Sequence, residues 1–222
     1  PPIGELDAHC HILPGIDDGP STMEGSMDIA RILVEMGISR VAATPHVISD
    51  VYPNTADGIR AAVEALSAAL REEGLALEVL PAAEYYAESA FLTAIRRQDV
   101  ISFGPEQFVL FESPVDTTPL LLEDIIYHLR SSGYTPLLAH AERYRFLQGN
   151  PRMVDHLREL GVRFQVNHPS FSLPKTSRTG EAARWLYIRG LVDALGTDMH
   201  RATPPLQPRE DTRRGLRLFR QR

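Results

Sequence analysis

Apolar residues recur along the chain with two alternating periods. Short runs in which nearly every position is apolar, such as Val41-Ala42-Ala43 and Leu137-Leu138-Ala139, fit strands buried on both faces. Between them, apolar positions return every three or four residues, the stripe of a helix with one buried side. Residues 3–10 read as a first strand. Ser21-Thr22-Met23-Glu24 resembles a capping box and opens a helix to about Met36, with Met23, Met27, Ala30 and Val34 on its inner face and Gly37 as its stop. Residues 39–44 form a strand ending in Pro45-His46. A helix over about 56–73 presents Ile59, Val63, Leu66 and Leu70, and a strand over 77–83 ends at Glu84. The alternation continues with helices near 89–97, 119–132, 151–160 (Asn150 as cap) and 178–189. Strands over 108–111, 136–139, 162–166 and 191–195 precede Glu112, His140, Asn167-His168 and Gly196-Thr197-Asp198-Met199-His200.

Seven strand–helix units at roughly 30-residue spacing imply an α/β fold with a mostly parallel sheet. Right-handed crossovers without a Gly-rich dinucleotide fingerprint favour a closed barrel, one unit short of the usual eight. The expectation is a distorted seven-stranded (β/α)7 TIM-like barrel. With no internal linker or low-complexity segment, residues 1–222 read as a single domain with a basic tail from about 206. Six arginines between Arg209 and Arg222 read as a solvated basic helix end.

Composition narrows the function classes. The chain has 222 residues, 43% of them hydrophobic and 23% charged, and a net charge of -6, which argues against a general nucleic-acid binder. No apolar run approaches the ~20 residues that span a bilayer, and no signal segment opens the chain, so a cytoplasmic protein without stable membrane insertion is expected. The one cysteine, Cys10, excludes an intrachain disulfide framework. A cysteine-dependent phosphatase needs an arginine six positions after its nucleophile, where this chain has Ile16. Cys10 is therefore read as a small buried residue facing away from His9.

The ends of the strands carry the chemistry. Side chains two apart in a strand share a face, so His9 and His11 can reach one point. The loop containing Pro14, Gly15, Gly19 and Pro20 can return an aspartate to it. His46, Glu84, Glu112, His140, Asn167, His168, Asp198 and His200 follow the later strands, at the end where barrels of this type build active sites. His128 and His156 fall within helices and read as packing or surface residues. About nine ligand-type residues exceed the four to six that one ion takes, so two or three ions are expected. Mixed imidazole and carboxylate donors suit Mn, Fe or Zn. Such sites favour phosphate-ester hydrolysis. Arg143, three residues after His140, is placed to fork two phosphate oxygens, unless it pairs with Glu142. Arg145 and Arg201 are weaker candidates of that kind.

Together the motifs Asp-x-His-x-His, Ile-Asp-Asp-Gly-Pro, Ala-Thr-Pro-His, Phe-Glu-x-Pro, Ala-His-x-Glu-Arg-Tyr, Val-Asn and x-Asp-x-His resemble the PHP (polymerase and histidinol phosphatase) superfamily, from about Leu6 to Pro205. More narrowly they resemble its bacterial manganese-dependent protein-tyrosine phosphatases of capsule and exopolysaccharide synthesis. The resemblance implies three ions. His9, His11, Glu84 and Asp198 would hold one, and Glu84, Glu112 and His140 a second. Asp18, His46 and His200 would hold a third, with Asp17 orienting the turn. It also implies that Arg143 holds the substrate phosphate, that a metal-activated hydroxide attacks phosphorus, and that the substrate is phosphotyrosine on the tail of a bacterial tyrosine autokinase. The chain departs from the pattern at Val47, at His168-Pro169 and at Thr203, where Arg201 stands two residues earlier; Val47 and Thr203 bear on substrate recognition. The alternatives are a small-molecule phosphomonoesterase, such as a histidinol-phosphate phosphatase, and a non-catalytic metal-binding regulatory module.

Overall fold

A computed structural model describes residues 5–118 and 120–203. The expected basic tail from about 206 lies outside the described residues. In chain order the elements are β1 (Leu6–Cys10), α1 (Met23–Glu35), β2 (Arg40–Ala43), β3 (His46–Val47), α2 (Ala56–Glu72), β4 (Glu78–Pro81), β5 (Glu84–Tyr86), α3 (Ser89–Arg96), β6 (Phe108–Glu112), α4 (Leu122–Ser131), β7 (Thr135–Leu138), α5 (Pro151–Glu159), β8 (Arg163–Asn167), α6 (Arg178–Ile188) and β9 (Ala194–Gly196). Single-turn 3-10 helices follow β7 at Ala141–Arg143 and β8 at His168–Ser172.

All strand pairs are parallel. β1 lies beside β2 and β2 beside β4, while β3, β5, β6, β7, β8 and β9 follow one another in a second run. The parallel sheet is curled, and the residues following β9 bond to β1. Asp198 N donates to the His9 carbonyl at 2.8 Å, His11 N donates to the Met199 carbonyl at 3.0 Å, and Cys10 bridges Met199 in parallel.

Two strands expected to end before His46 and Glu84 are each followed by a further short strand. Pro45, with no N–H to give the ladder, separates β2 from β3, and Pro81 closes β4 before β5 begins. Pairing still carries across both breaks, through Ala82 N to the Ala43 carbonyl and Glu84 N to the Pro45 carbonyl, each 3.0 Å. His46 and Glu84 thereby come into register as neighbours.

Alternation along the strands sorts side chains into two layers. Val41, Ala43, Val109, Phe111, Phe164 and Val166 join the large core with helix residues Leu33, Leu66, Ile125, Leu129 and Leu157. Ala8, Ala42, Ala82, Leu110, Leu137 and Ala139 form a separate cluster, small enough for a tightly curled sheet. Helix α2 buries Ile59, Val63, Leu66 and Leu70 as its periodicity requires. Helix α1 differs from expectation. Its cap is Thr22, whose hydroxyl accepts from Gly25 N at 3.2 Å, and its buried stripe is Ser26, Met27, Ile29, Ala30 and Leu33. Met23 and Val34 are left at the half-buried margin, because Ile29 and Leu33 pull the stripe around the wheel. Among the described residues no helix is long and apolar enough to cross a membrane.

Leu66 is fully buried between α2 and the sheet. Leu66→Ala should cost about 2–5 kcal/mol in denaturant unfolding, whereas truncating the exposed Val51 to alanine should leave the midpoint near wild type.

Candidate metal centre

The strand ends gather their side chains around Glu84, the first residue of β5, which is 1% exposed. Its Oε2 lies 3.2 Å from His9 Nε2, 3.3 Å from His11 Nε2 and 3.2 Å from His46 Nδ1. Its Oε1 lies 3.1 Å from His140 Nε2. Glu112, at the end of β6, reaches His46 Nδ1 at 3.2 Å and His140 Nε2 at 3.9 Å. Asp198 Oδ1 stands 3.4 Å from His9 Nε2 and 3.6 Å from His11 Nε2. Asp18 Oδ1 stands 3.3 Å from His200 Nε2 and 3.6 Å from His46 Nε2. The nine ligand candidates, eight at strand ends and Asp18 from the loop after β1, thus meet in one place.

Ligand-type atoms come within 4.8 Å of one another in three groups: His9, His11 and Glu84; His46, Glu84 and Glu112; and His11, Asp18, His46 and His200. The first shares its members with one set implied by the resemblance. In the second His46 stands where that set has His140, and the third adds His11 to Asp18, His46 and His200. His46 faces two groups, through Nδ1 and Nε2. Asp17 contributes differently. Its carboxylate takes His11 Nδ1–H at 2.7 Å, His46 N at 3.1 Å and Gly19 N at 2.9 Å, leaving His11 Nε2 turned inward.

Both Glu84 oxygens are buried without a hydrogen-bond partner, although imidazole nitrogens stand 3.1–3.3 Å away. Buried carboxylate oxygens left so are costly unless a cation completes them. The donor set of imidazoles and carboxylates fits a divalent transition metal.

Without a cation, protons do part of that work. Burial opposes charge on His9, but Glu84 and Asp198 outweigh it and hold the ring at about 9. Burial is likewise overcome at His11, by Asp17 and Glu84, which hold it at about 10. Against its own burial, Glu84 is driven well below the usual carboxylate range by His9, His11 and His140. His200 moves the other way, lowered by burial and by the neighbouring His11, on which it stacks at 3.8 Å.

The backbone strains to deliver two of the candidates. His140 (φ 33°) and Asp198 (φ 54°) sit in the left-handed region without being glycine. Each is pinned by its own N–H, His140 N to Gln165 Oε1 at 2.7 Å and Asp198 N to the His9 carbonyl at 2.8 Å.

The chain matches the family described as capsular polysaccharide synthesis, CpsB/CapC, over residues 5–210. It belongs to the CpsB/CapC family. Relatives include the tyrosine-protein phosphatase YwqE of Bacillus subtilis, 35% identical over 167 residues, which are 75% of this chain and 66% of YwqE. The tyrosine-protein phosphatase CpsB of Streptococcus pneumoniae is 25% identical over 200 residues, 88% of this chain and 82% of CpsB. The chain thus spans just under two thirds of the length of YwqE. A crystal structure from work on YwqE and CpsB, described as unique metal-dependent tyrosine phosphatases, superposes with a TM-score of 0.85 at 30% identity, covering 96% of this chain and 86% of that one.

In this member of the CpsB/CapC family the arginines divide. Arg143 Nη1 donates to Asp198 Oδ2 at 3.1 Å from a half-exposed position beside the cluster, and not to Glu142. Glu142 is fully buried and accepts from Asn167 N and the Ser170 hydroxyl. Arg145 turns outward to the exposed Asp116 at 2.7 Å. Arg201 is exposed, and among the described residues its guanidinium has no hydrogen bond or ion pair. Val47, beside His46, is half-buried against the core, and His168 begins the 3-10 turn, its Nδ1 buried without a partner. His128 and His156 pair on the helix surface with Arg96 and Glu123. Cys10 is a buried free thiol, pushed well up by burial.

Sequence reasoning missed Gln165, whose amide touches both His9 Nδ1 and His140 N. The available signal was a polar residue between the apolar Phe164 and Val166, inside a strand read as buried.

Raised imidazole pKa values give a signed expectation. Each ring's stabilisation of the metal-free fold is complete below 6.5, its ordinary value, and is lost as pH rises through about 9 for His9 and about 10 for His11. Metal-free protein should therefore melt progressively lower across that window. Loading with Mn²⁺ in weakly buffered solution near neutral pH should acidify it, as both rings give up protons, and apparent affinity should climb with pH.

Proposed function

We propose that the chain is a metal-dependent protein-tyrosine phosphatase of capsular or exopolysaccharide synthesis, acting on phosphotyrosine in a bacterial tyrosine kinase. The observation that carries this is the convergence of five imidazoles and four carboxylates around the buried Glu84, in a family whose relatives are named tyrosine-protein phosphatases. We further read the curled sheet as a distorted (β/α)7 barrel forming one domain. The order of the parallel segments and the hydrogen bonds between β1 and the residues following β9 support that reading.

On this proposal His9, His11, Asp18, His46, Glu84, Glu112, His140, Asp198 and His200 hold two or three divalent ions, manganese before iron or zinc. Bound divalent cations would supply Lewis acidity, giving a nucleophile at neutral pH and neutralising phosphoryl charge. The chain's own residues do the rest. Asp17 fixes the His11 ring so that its inner nitrogen is free of hydrogen. Glu84, held ionised by its imidazoles, keeps two acceptor oxygens among the groups. Arg143 is half-exposed and held by one hydrogen bond, so its remaining donors can fork two phosphate oxygens. Arg201, exposed two residues before Thr203, can steer the anionic substrate. Tyrosine, with a pKa near 10, departs as its phenolate more readily than an alkyl alcohol does.

Phosphate release from a phosphotyrosyl peptide and from histidinol phosphate, at equal enzyme with Mn²⁺, tests the assignment. The peptide should be strongly preferred; strong preference for histidinol phosphate overturns it in favour of a small-molecule phosphomonoesterase, and no turnover of either in favour of a regulatory module. His140→Ala should reduce turnover to background, because it empties a ligand position. Arg143→Ala should lower kcat/KM about 10- to 150-fold, the value of one charge-assisted hydrogen bond, with metal content unchanged by elemental analysis.

A further inference from the structure

Behind the inner residues runs a chain of amides whose hydrogen-bond polarity can be read without ambiguity. It starts at a backbone N–H, which can only donate. His140 N points at one atom of the Gln165 side chain at 2.7 Å, so that atom is the oxygen, Oε1. The same oxygen lies 3.0 Å from His9 Nδ1, which must therefore carry a hydrogen, so Nε2, facing Glu84 and Asp198, is the nitrogen that would give up its proton to a cation. Gln165 Nε2 then donates to Asn167 Oδ1 at 2.9 Å, which fixes the second amide as well. Asn167 Nδ2 accordingly donates to Asp198 Oδ2 at 2.8 Å, occupying the outer oxygen and leaving Oδ1 toward His9 and His11.

Packing holds this chain in place. Gln165 is fully buried and Asn167 is 7% exposed. The residue facing them on β9 is Gly196, where an added Cβ would lie 2.5 Å from His9 Cβ and 2.9 Å from Gln165 Nε2. Only glycine leaves room there for the amide to lie against the imidazole. Asp7 clamps the same corner, taking Thr197 N at 2.9 Å and the Thr197 hydroxyl at 2.6 Å.

We infer that Gln165 and Asn167 are positioning residues that act as one unit, setting the tautomer of His9 and the rotation of Asp198 so that both present their inner atoms to the same cation. Neither touches substrate. The inference rests on the proposed metal site, and it accounts for Asn167, a strand-end residue that the ligand set does not use.

The test is Mn²⁺ affinity, measured from the free ion by electron paramagnetic resonance, in wild type, Gln165→Met, Asn167→Ala and the double variant. Loss of the orienting partner should weaken binding by about 10- to 100-fold in each single variant, and the double variant should be no weaker than the weaker single. Nitrogen NMR of the Zn²⁺-loaded wild type should show His9 protonated at Nδ1. A merely structural role would lower the melting temperature of the metal-free variants and leave their Mn²⁺ affinity at the wild-type value, and that result overturns the inference. Fully additive losses, or His9 protonated at Nε2, overturn it too. If Gln165→Met fails to fold, Asn167→Ala decides alone, because it keeps the bond from His140 N to Gln165. Wild type that binds no Mn²⁺ is a different failure and removes the phosphatase reading itself.

Discussion

A carboxylate with almost no exposure cannot stay ionised in a protein unless positive charge or donated hydrogen surrounds it. Glu84 meets this constraint with four imidazole nitrogens drawn from three strand ends, two of them from β1. Much of the fold's local detail serves that encounter. Pro45 and Pro81 break two strands so that His46 and Glu84 fall opposite one another. His140 and Asp198 accept left-handed backbone, a cost of order 1–3 kcal/mol each, to turn inward. Buried amides and aspartates on the far side, Gln165, Asn167 and Asp17, hold the rings and carboxylates from behind.

The electrostatics make the same point in a different way. Burial alone would neutralise these rings, yet His9 and His11 are pushed up to about 9 and about 10 because their carboxylates are buried with them. Protons and divalent cations therefore compete for one set of lone pairs.

The order of strands and helices was legible because each element carries its own period: the α2 face of Ile59, Val63, Leu66 and Leu70 is buried as its spacing requires. So was the cluster of nine, since a polar residue ending each apolar run is visible one strand at a time. What stayed hidden depends on contacts between distant segments. The split at Pro45 was read as a strand end, because the ladder that resumes at His46 needs Glu84 beside it. Helix α1 was placed with Met23 and Val34 inward, because the sheet it covers decides which flank of a broad apolar stripe is buried. Gln165 escaped notice because an amide inside a strand acquires meaning only against His9, more than a hundred and fifty residues away. Arg145 and Arg143 look alike in sequence, yet one turns to Asp116 and the other to Asp198.

The seam between β1 and the residues following β9 has a consequence for biosynthesis. His9 and His11 leave the ribosome nearly two hundred positions before Asp198 and His200. A nascent chain holds isolated histidines and acids but no complete pocket. The cluster is complete only once Thr197 has docked on Asp7. The gathered side chains thereby require that both ends of the β1 seam have been translated.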